Sequence, residues 1–212
     1  MEDKAPPGGP ASEGAQAEFF ESIYQRAGGD PATIPWASME PTPYLDRWLR
    51  GSGPATGDAV VVACGLGDDA EALAAAGWRV TAFDISPAAI AWCRERFPAS
   101  PVDYQVQDLA AVPSSWRSAF DLVMEARTIQ SFPPESQAQA IGWISALVAD
   151  SGRLLVSTIG HRGVPAETGP PWPVAEADLS LFLDHGLELR ESVMRPSPWE
   201  GFEFFEFEYV KR

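Results

Sequence analysis

The chain has 212 residues, a formal net charge of −15 at pH 7 and 45% hydrophobic residues, enough for one domain that buries about 70% of its unfolded surface. An acidic surplus of that size argues against a duplex nucleic-acid grip, which needs a basic face to displace counterions, and makes acidic membranes poor partners. The two cysteines, Cys64 and Cys93, are too few for a disulfide framework and lack the clustered spacing of a metal site, so none is expected.

Residues 1–16 are rich in Gly, Pro, Ala and Glu and read as a disordered leader ahead of a single domain over 17–212. A helix follows over 17–27, where Phe19, Phe20, Ile23, Tyr24 and Ala27 share one face. After a loop carrying Trp36 and Met39, Tyr44, Leu45, Trp48 and Leu49 mark a second amphipathic helix, completing an N-terminal helical cover over 17–50. The unbroken apolar run 59–63 is a strand buried on both faces, and helical spacing resumes with Ala70, Leu73 and Ala74. A second strand over 80–83 ends on Asp84, and Ser86 with Pro87 starts a helix to Arg96. Strands are then expected at 102–106, 120–125, 154–159 and 187–195, and helices at 134–149 and 176–185, with His185 as a capping residue beside Gly186. Between them lies a proline-rich insertion over 160–173. The tail alternates Phe205, Glu206, Phe207, Glu208 and Tyr209, as a half-exposed antiparallel strand does. The pattern predicts a doubly wound, Rossmann-like α/β domain with a seven-stranded, mostly parallel sheet and an antiparallel C-terminal strand.

The stretch 59–84 carries the chemistry. Gly65 and Gly67 allow a sharp turn and close approach of a ligand after the first strand, and Asp84 stands at the end of the next, where a carboxylate takes the hydroxyls of a ribose. The spacing Gly65-x-Gly67-x-x-Ala70 satisfies the dinucleotide fingerprint, so a nicotinamide-dependent oxidoreductase is one reading. Asp68 and Asp69 oppose it if they face the ligand, because two carboxylates at a helix N-terminus repel a pyrophosphate. They are equally open to being helix-starting acids. S-adenosylmethionine, with a ribose, a cationic sulfur and no phosphate, avoids the repulsion.

The segments VVACGLGDDAEALA, FDISPAAI, VQDL, FDLVMEA and GPPWPV together resemble the class I S-adenosylmethionine-dependent methyltransferases, in their thiopurine S-methyltransferase-like and tellurite-resistance-like branch. One departure is Ala63, where many members carry an acid. The resemblance, with the rule that ligands bind beyond the carboxyl ends of parallel strands, implies that Ala63, Gly65 and Gly67 face the methionine portion of the cofactor. Asp84 and Ile85 would hold the ribose and adenine, Asp108 and Leu109 the adenine edge, and Trp36, in Ile34-Pro35-Trp36, would pack over the cofactor. Glu125, ending the fourth strand, would lie nearest the transferred methyl group, as a candidate catalytic residue or as a buried acid paired with Arg127. His161 is the other candidate base, since an imidazole titrates near neutrality. Phe20, Tyr24, Met39, Arg127, Arg162 and Trp172 are expected around a small-molecule acceptor. With no convincing base constellation, a thiol or similarly soft nucleophile is the expected acceptor. A noncatalytic cofactor-binding protein of the same fold and methylation of a macromolecule are the other readings. No apolar run reaches membrane-spanning length, so the expected setting is a cytoplasmic, bacterial-type monomer or homodimer.

Overall fold

The computed structural model describes residues 13–51, 57–163 and 169–212. Its sheet is formed by β1 (Asp58–Val62), β2 (Arg79–Asp84), β3 (Asp103–Val106), β4 (Phe120–Ala126), β5 (Val148–His161), β6 (Val174–Ala175), β7 (Leu187–Pro196) and β8 (Glu203–Lys211). The strand order is β3-β2-β1-β4-β5-β8-β7, with β6 paired to the end of β5. All pairings from β3 to β5 are parallel, and β8 runs antiparallel to both β5 and β7. The expected seven strands are present; the two-residue β6, pairing Gly160 with Val174 and His161 with Ala175, is an eighth. Chain order reverses between β1 and β4, so a crevice opens there beyond the strand ends.

Alternation along each strand divides the core into two layers. On one face Val60, Val62, Val123, Val156, Phe205 and Phe207 pack with Ile141 and Ile144 of α5 (Pro134–Ser145) and Phe182 of α6 (Leu181–Asp184). On the other, Val61, Ala82, Met124 and Leu155 meet Leu45 of α2 (Pro43–Gly51), Leu73 of α3 (Asp68–Ala75) and Ile90 of α4 (Pro87–Arg96). Burial on both sides explains the unbroken apolar run of β1. A third cluster lies over the strand ends: Tyr24 and Ala27 of α1 (Glu13–Ala27) with Ile34, Leu66 and Ala89.

Several boundaries differ from expectation. Helix α1 begins at Glu13, so 13–16 are not leader; Gln16 is buried and its Nε2 donates to Ser131 O at 2.6 Å. Residues 1–12, and 164–168 of the expected insertion, lie outside the described residues. Helix α5 stops at Ser145 rather than 149, because the carbonyls of Ala146 and Leu147 accept from Ser118, Ala119 and Phe120 and draw the chain into β5. The helix expected over 176–185 is a 3-10 turn, Glu176–Ser180, followed by the single turn of α6. Strand β8 is not half-exposed either. Glu206 and Glu208 are buried under arginines: Glu206 accepts from Arg47 (2.5 Å) and Arg195 (2.9 Å), and Glu208 from Arg153 (2.5 Å). Among the described residues no helix is long and apolar enough to cross a membrane, and no group of three His, Cys, Asp or Glu could hold a metal.

Candidate active site

The turn after β1 is built from left-handed backbone. Ala63, Gly65 and Gly67 have φ of 48°, 54° and 88°, and Ala63 is exposed at the strand end. A Cβ on Gly67 would lie 2.5 Å from Tyr104 Oη and 3.2 Å from Cys93 Sγ. Left-handed backbone and overpacking therefore act together in Gly67→Ala, which is expected to lose roughly 2–5 kcal/mol of stability in chemical denaturation.

Asp84 joins this turn to the next. Its carboxylate is buried and accepts from Gly65 N at 3.0 Å and Ser86 N at 2.9 Å. Burial, with the nearby charge of Glu21, pushes its pKa up to about 6 against the opposing pull of the backbone N–H groups of Ser86, Gly65 and Ile85. A carboxylate has about four lone-pair directions, so two stay open to a diol. Asp84 and the glycine turn thus share one crevice, as the sequence implied.

Helix α1 lies across that crevice, tied at both ends. Glu21 Oε2 accepts from Ser86 Oγ (2.5 Å) and Ala88 N (3.0 Å), capping the start of α4, while Gln16 reaches Ser131 beyond β4. Between these ties Tyr24 is 4% exposed. Its hydroxyl accepts from Trp36 Nε1 at 3.0 Å, and Trp36 packs edge-on against both Phe20 and Tyr24. Glu21 and Gln16 were not among the sequence candidates. Gln16 was within reach, since it precedes Phe20 and Tyr24 by one and two helical turns on the same face; no comparable signal marks Glu21.

Asp68 and Asp69 do not confront a ligand. Asp68 pairs with Arg96 at 2.8 Å, and Asp69 accepts from Thr42 N (2.6 Å) and Thr42 Oγ1 (2.7 Å), fastening the loop before α2 to the glycine turn. Repulsion of a pyrophosphate by these two acids therefore carries no weight in choosing the cofactor.

At the end of β4, Glu125 is not paired with Arg127. Its Oε1 accepts from Thr128 N (2.5 Å) and Ile129 N (3.0 Å), its Oε2 has no partner among the described residues, and the residue is 0% exposed. A carboxyl sealed in this way supports the turn. The turn it supports is a hub. Thr128 Oγ1 donates to Val62 O (3.3 Å), and Gln130 Oε1 accepts from Thr158 Oγ1 (3.0 Å) and Ile159 N (2.6 Å). Gln130 O accepts from Trp172 N at 2.7 Å. Arg127, at φ 66°, instead donates to Trp36 O at 3.2 Å.

The remaining candidates separate into two groups. Ile85 is half-buried after β2, and Asp108 is half-buried after β3, accepting from Ala110 N at 2.9 Å as a turn cap. Leu109 is buried in the core beneath. His161 is buried at the end of β5 with Nδ1 against Gly163 O at 3.0 Å. Arg162 is drawn to the β6–β8 side by Glu176 (3.0 Å) and Glu203 (3.2 Å), so its charge is spent away from an acceptor. Trp172 leans on Gly169 of its own loop, and Met39 is exposed.

A methyltransferase-domain family model matches residues 59–152, the span from β1 into β5 that builds this crevice. A probable thiol methyltransferase 2 of Arabidopsis thaliana is 26% identical over 158 residues, covering 73% of this chain and 68% of that protein. The thiocyanate methyltransferase 1 of the same plant is 27% identical over 150 residues, covering 70% and 64%. Among solved structures, a Burkholderia thailandensis 1,6-didemethyltoxoflavin-N1-methyltransferase with bound S-adenosylhomocysteine superposes with a TM-score of 0.72 at 20% identity, over 98% of this chain and 92% of that one. The N-methyltransferase NodS of Bradyrhizobium japonicum, also with S-adenosylhomocysteine, gives 0.67 at 20% identity over 89% and 98%. The glycine turn and Asp84 thus meet at the switch point inside the matched methyltransferase domain, and over most of its length the chain is similar to S-adenosylmethionine-dependent methyltransferases.

Proposed function

We propose that the chain methylates a small, soft nucleophile, a thiol or thiol-like anion, inside the crevice covered by α1. The observation that carries this acceptor class is the sealed state of Glu125: the carboxyl at the end of β4 is locked into a turn, so an acceptor that ionises by itself fits better than a hydroxyl needing a base. An unperturbed thiol ionises at about pH 8.5 and needs little assistance. The plant relatives, named for thiol and thiocyanate methylation, point the same way.

The residues present fit the cofactor. Asp84 keeps two acceptor directions for a ribose, Ile85 offers an apolar face beside it, and Gly65 and Gly67 keep side chains out of the turn that would receive the methionine portion. When bound, S-adenosylmethionine supplies a methyl group already activated by its positive sulfur. The work left to the protein is alignment. Phe20, Tyr24 and Trp36 shield the crevice from water, and Gln16 and Glu21 hold that cover in place. The indole of Trp36 can also attract a cationic sulfur, by about 1 kcal/mol on the scale of ammonium–aromatic contacts. The acidic surface favours a small acceptor over a nucleic acid, and a cytoplasmic setting suits a chain with free thiols at Cys64 and Cys93.

Isothermal titration with S-adenosylhomocysteine, with NADH as control, tests the cofactor; micromolar binding of the first alone is expected. Transfer from methyl-labelled S-adenosylmethionine to a panel of aromatic thiols, thiocyanate, amines and phenols tests the acceptor. Turnover confined to amines or phenols would overturn the thiol preference.

A further inference from the structure

Building on the methyltransferase assignment, we propose that Tyr24 and Arg127, bridged by Trp36, form an anion-recognising corner of the crevice that takes one small anion, either the cofactor's carboxylate or an anionic acceptor. Trp36 touches both partners with its two polar groups: its Nε1–H donates to Tyr24 Oη at 3.0 Å, and its carbonyl accepts from Arg127 Nη1 at 3.2 Å. Because Tyr24 Oη receives a hydrogen bond from Trp36, its own proton must point elsewhere, and among the described residues it has no acceptor. Elsewhere means the glycine turn: a Cβ on Gly65 would stand 3.3 Å from this oxygen. Burial, reinforced by the charge of Asp84, holds the phenol far above its usual range, so at any working pH it offers a proton and not a charge.

Arg127 supplies the charge. A guanidinium has five N–H donors, and the bond to Trp36 O is its only hydrogen bond among the described residues. The nearby cation Arg96 is already paired with Asp68. Asp84 and Glu21 make the adjoining crevice wall acidic, so an anion is best placed where Arg127 and the Tyr24 proton converge. A neutral and a cationic donor held by one residue, the phenol proton and the remaining guanidinium N–H groups having no acceptor among the described residues, describe a receptor for a carboxylate-sized group.

The test uses the full chain and Tyr24→Phe, Arg127→Gln and Trp36→Phe variants, each checked by thermal melting. Three probes are titrated: S-adenosylhomocysteine; 5′-methylthioadenosine, which lacks the carboxylate; and thiocyanate added to the S-adenosylhomocysteine-loaded protein. If the anion is the cofactor's carboxylate, Tyr24→Phe and Arg127→Gln weaken S-adenosylhomocysteine by about tenfold or more and leave 5′-methylthioadenosine unchanged. If it is the acceptor, both nucleoside ligands bind as before and thiocyanate binding falls by a similar factor. Trp36→Phe, which removes only the orienting N–H and keeps a ring, gives a smaller loss of the same kind. Variants that bind all three probes like the wild type, or that lose 5′-methylthioadenosine as much as S-adenosylhomocysteine, would overturn the corner alone. A wild-type chain that binds no S-adenosylhomocysteine overturns the cofactor reading and the corner with it.

Discussion

The Asp84→Asn variant is expected to bind S-adenosylhomocysteine at least about tenfold more weakly than the wild type at neutral pH, and to lack a pH dependence that the wild type shows. In the wild-type fold both Asp84 oxygens accept backbone N–H groups, from Gly65 and Ser86. An amide can accept only one of those bonds and turns its NH2 towards the other donor, loosening the glycine turn as well as weakening the contact with the ribose. The pH dependence follows from burial, the largest cause of a folded pKa of about 6 against an ordinary 3.8. A raised carboxyl pKa favours the protonated form, so the associated stability is fully present below about pH 4 and is lost as pH rises through about 6. Above that, the charge is held at a cost of about 3 kcal/mol. Ribose hydroxyls donate to the ionised carboxylate, so ligand binding below pH 6 must expel the proton. Affinity should therefore climb by up to about tenfold per unit between pH 5 and 6 and level off by about pH 7. Titrations at these pH values, in two buffers of different ionisation enthalpy, measure both affinity and the proton released. A wild-type affinity flat from pH 5 to 7 would remove Asp84 from the ribose site.

The crevice was legible in the sequence because its parts are local. An apolar run long enough to be covered on both faces, a glycine turn and an acid at the end of the next strand need no long-range information, and Gly65 and Asp84 meet as their strand positions require. What stayed hidden depends on contacts far apart in the chain. Glu125 and Arg127 lie two residues apart and carry opposite charges, yet the left-handed backbone at Arg127 sends its side chain to Trp36, 91 residues away, while Glu125 turns back onto Thr128 and Ile129. Asp68 and Asp69 looked like one pair of charges and are two separate ties, one to Arg96 and one to Thr42. The alternation of β8 gave its inward face correctly, but no period reveals that Arg47, Arg153 and Arg195 come over Glu206 and Glu208. Local patterning places backbone; the partners of charged side chains are set by tertiary packing.

Glu125 gives the largest expected effect on stability, and its two substitutions should move in different directions. Glu125→Ala removes the acceptor of two buried N–H groups, Thr128 and Ile129, and opens a small void, a loss expected at about 3–5 kcal/mol. Glu125→Gln keeps an oxygen for those donors and removes the charge. Burial is the largest influence on Glu125 and outweighs the pull of the backbone N–H groups of Ile129, Thr128 and Ser157, lifting its pKa to about 7 from 4.5. The sign is again that of a raised acid: its stabilising contribution is fully present below about pH 4.5 and lost as pH rises through 7, amounting to about 3 kcal/mol. The wild type should therefore lose stability between about pH 4.5 and 7 relative to Glu125→Gln and level off above that, with the amide variant equal or weaker at about pH 4.5 and stronger at about pH 8. Denaturant unfolding across that range measures the difference directly, and parallel curves for the two proteins would show that Glu125 does not titrate there. Activity separates support from chemistry. If Glu125 were the base, Glu125→Gln would lose turnover at every pH while folding normally; as a support for the turn that also anchors Gln16 and Trp172 through Ser131 and Gln130, it keeps turnover near that of the wild type, because an amide oxygen holds the Thr128 and Ile129 donors as well as a carboxylate does.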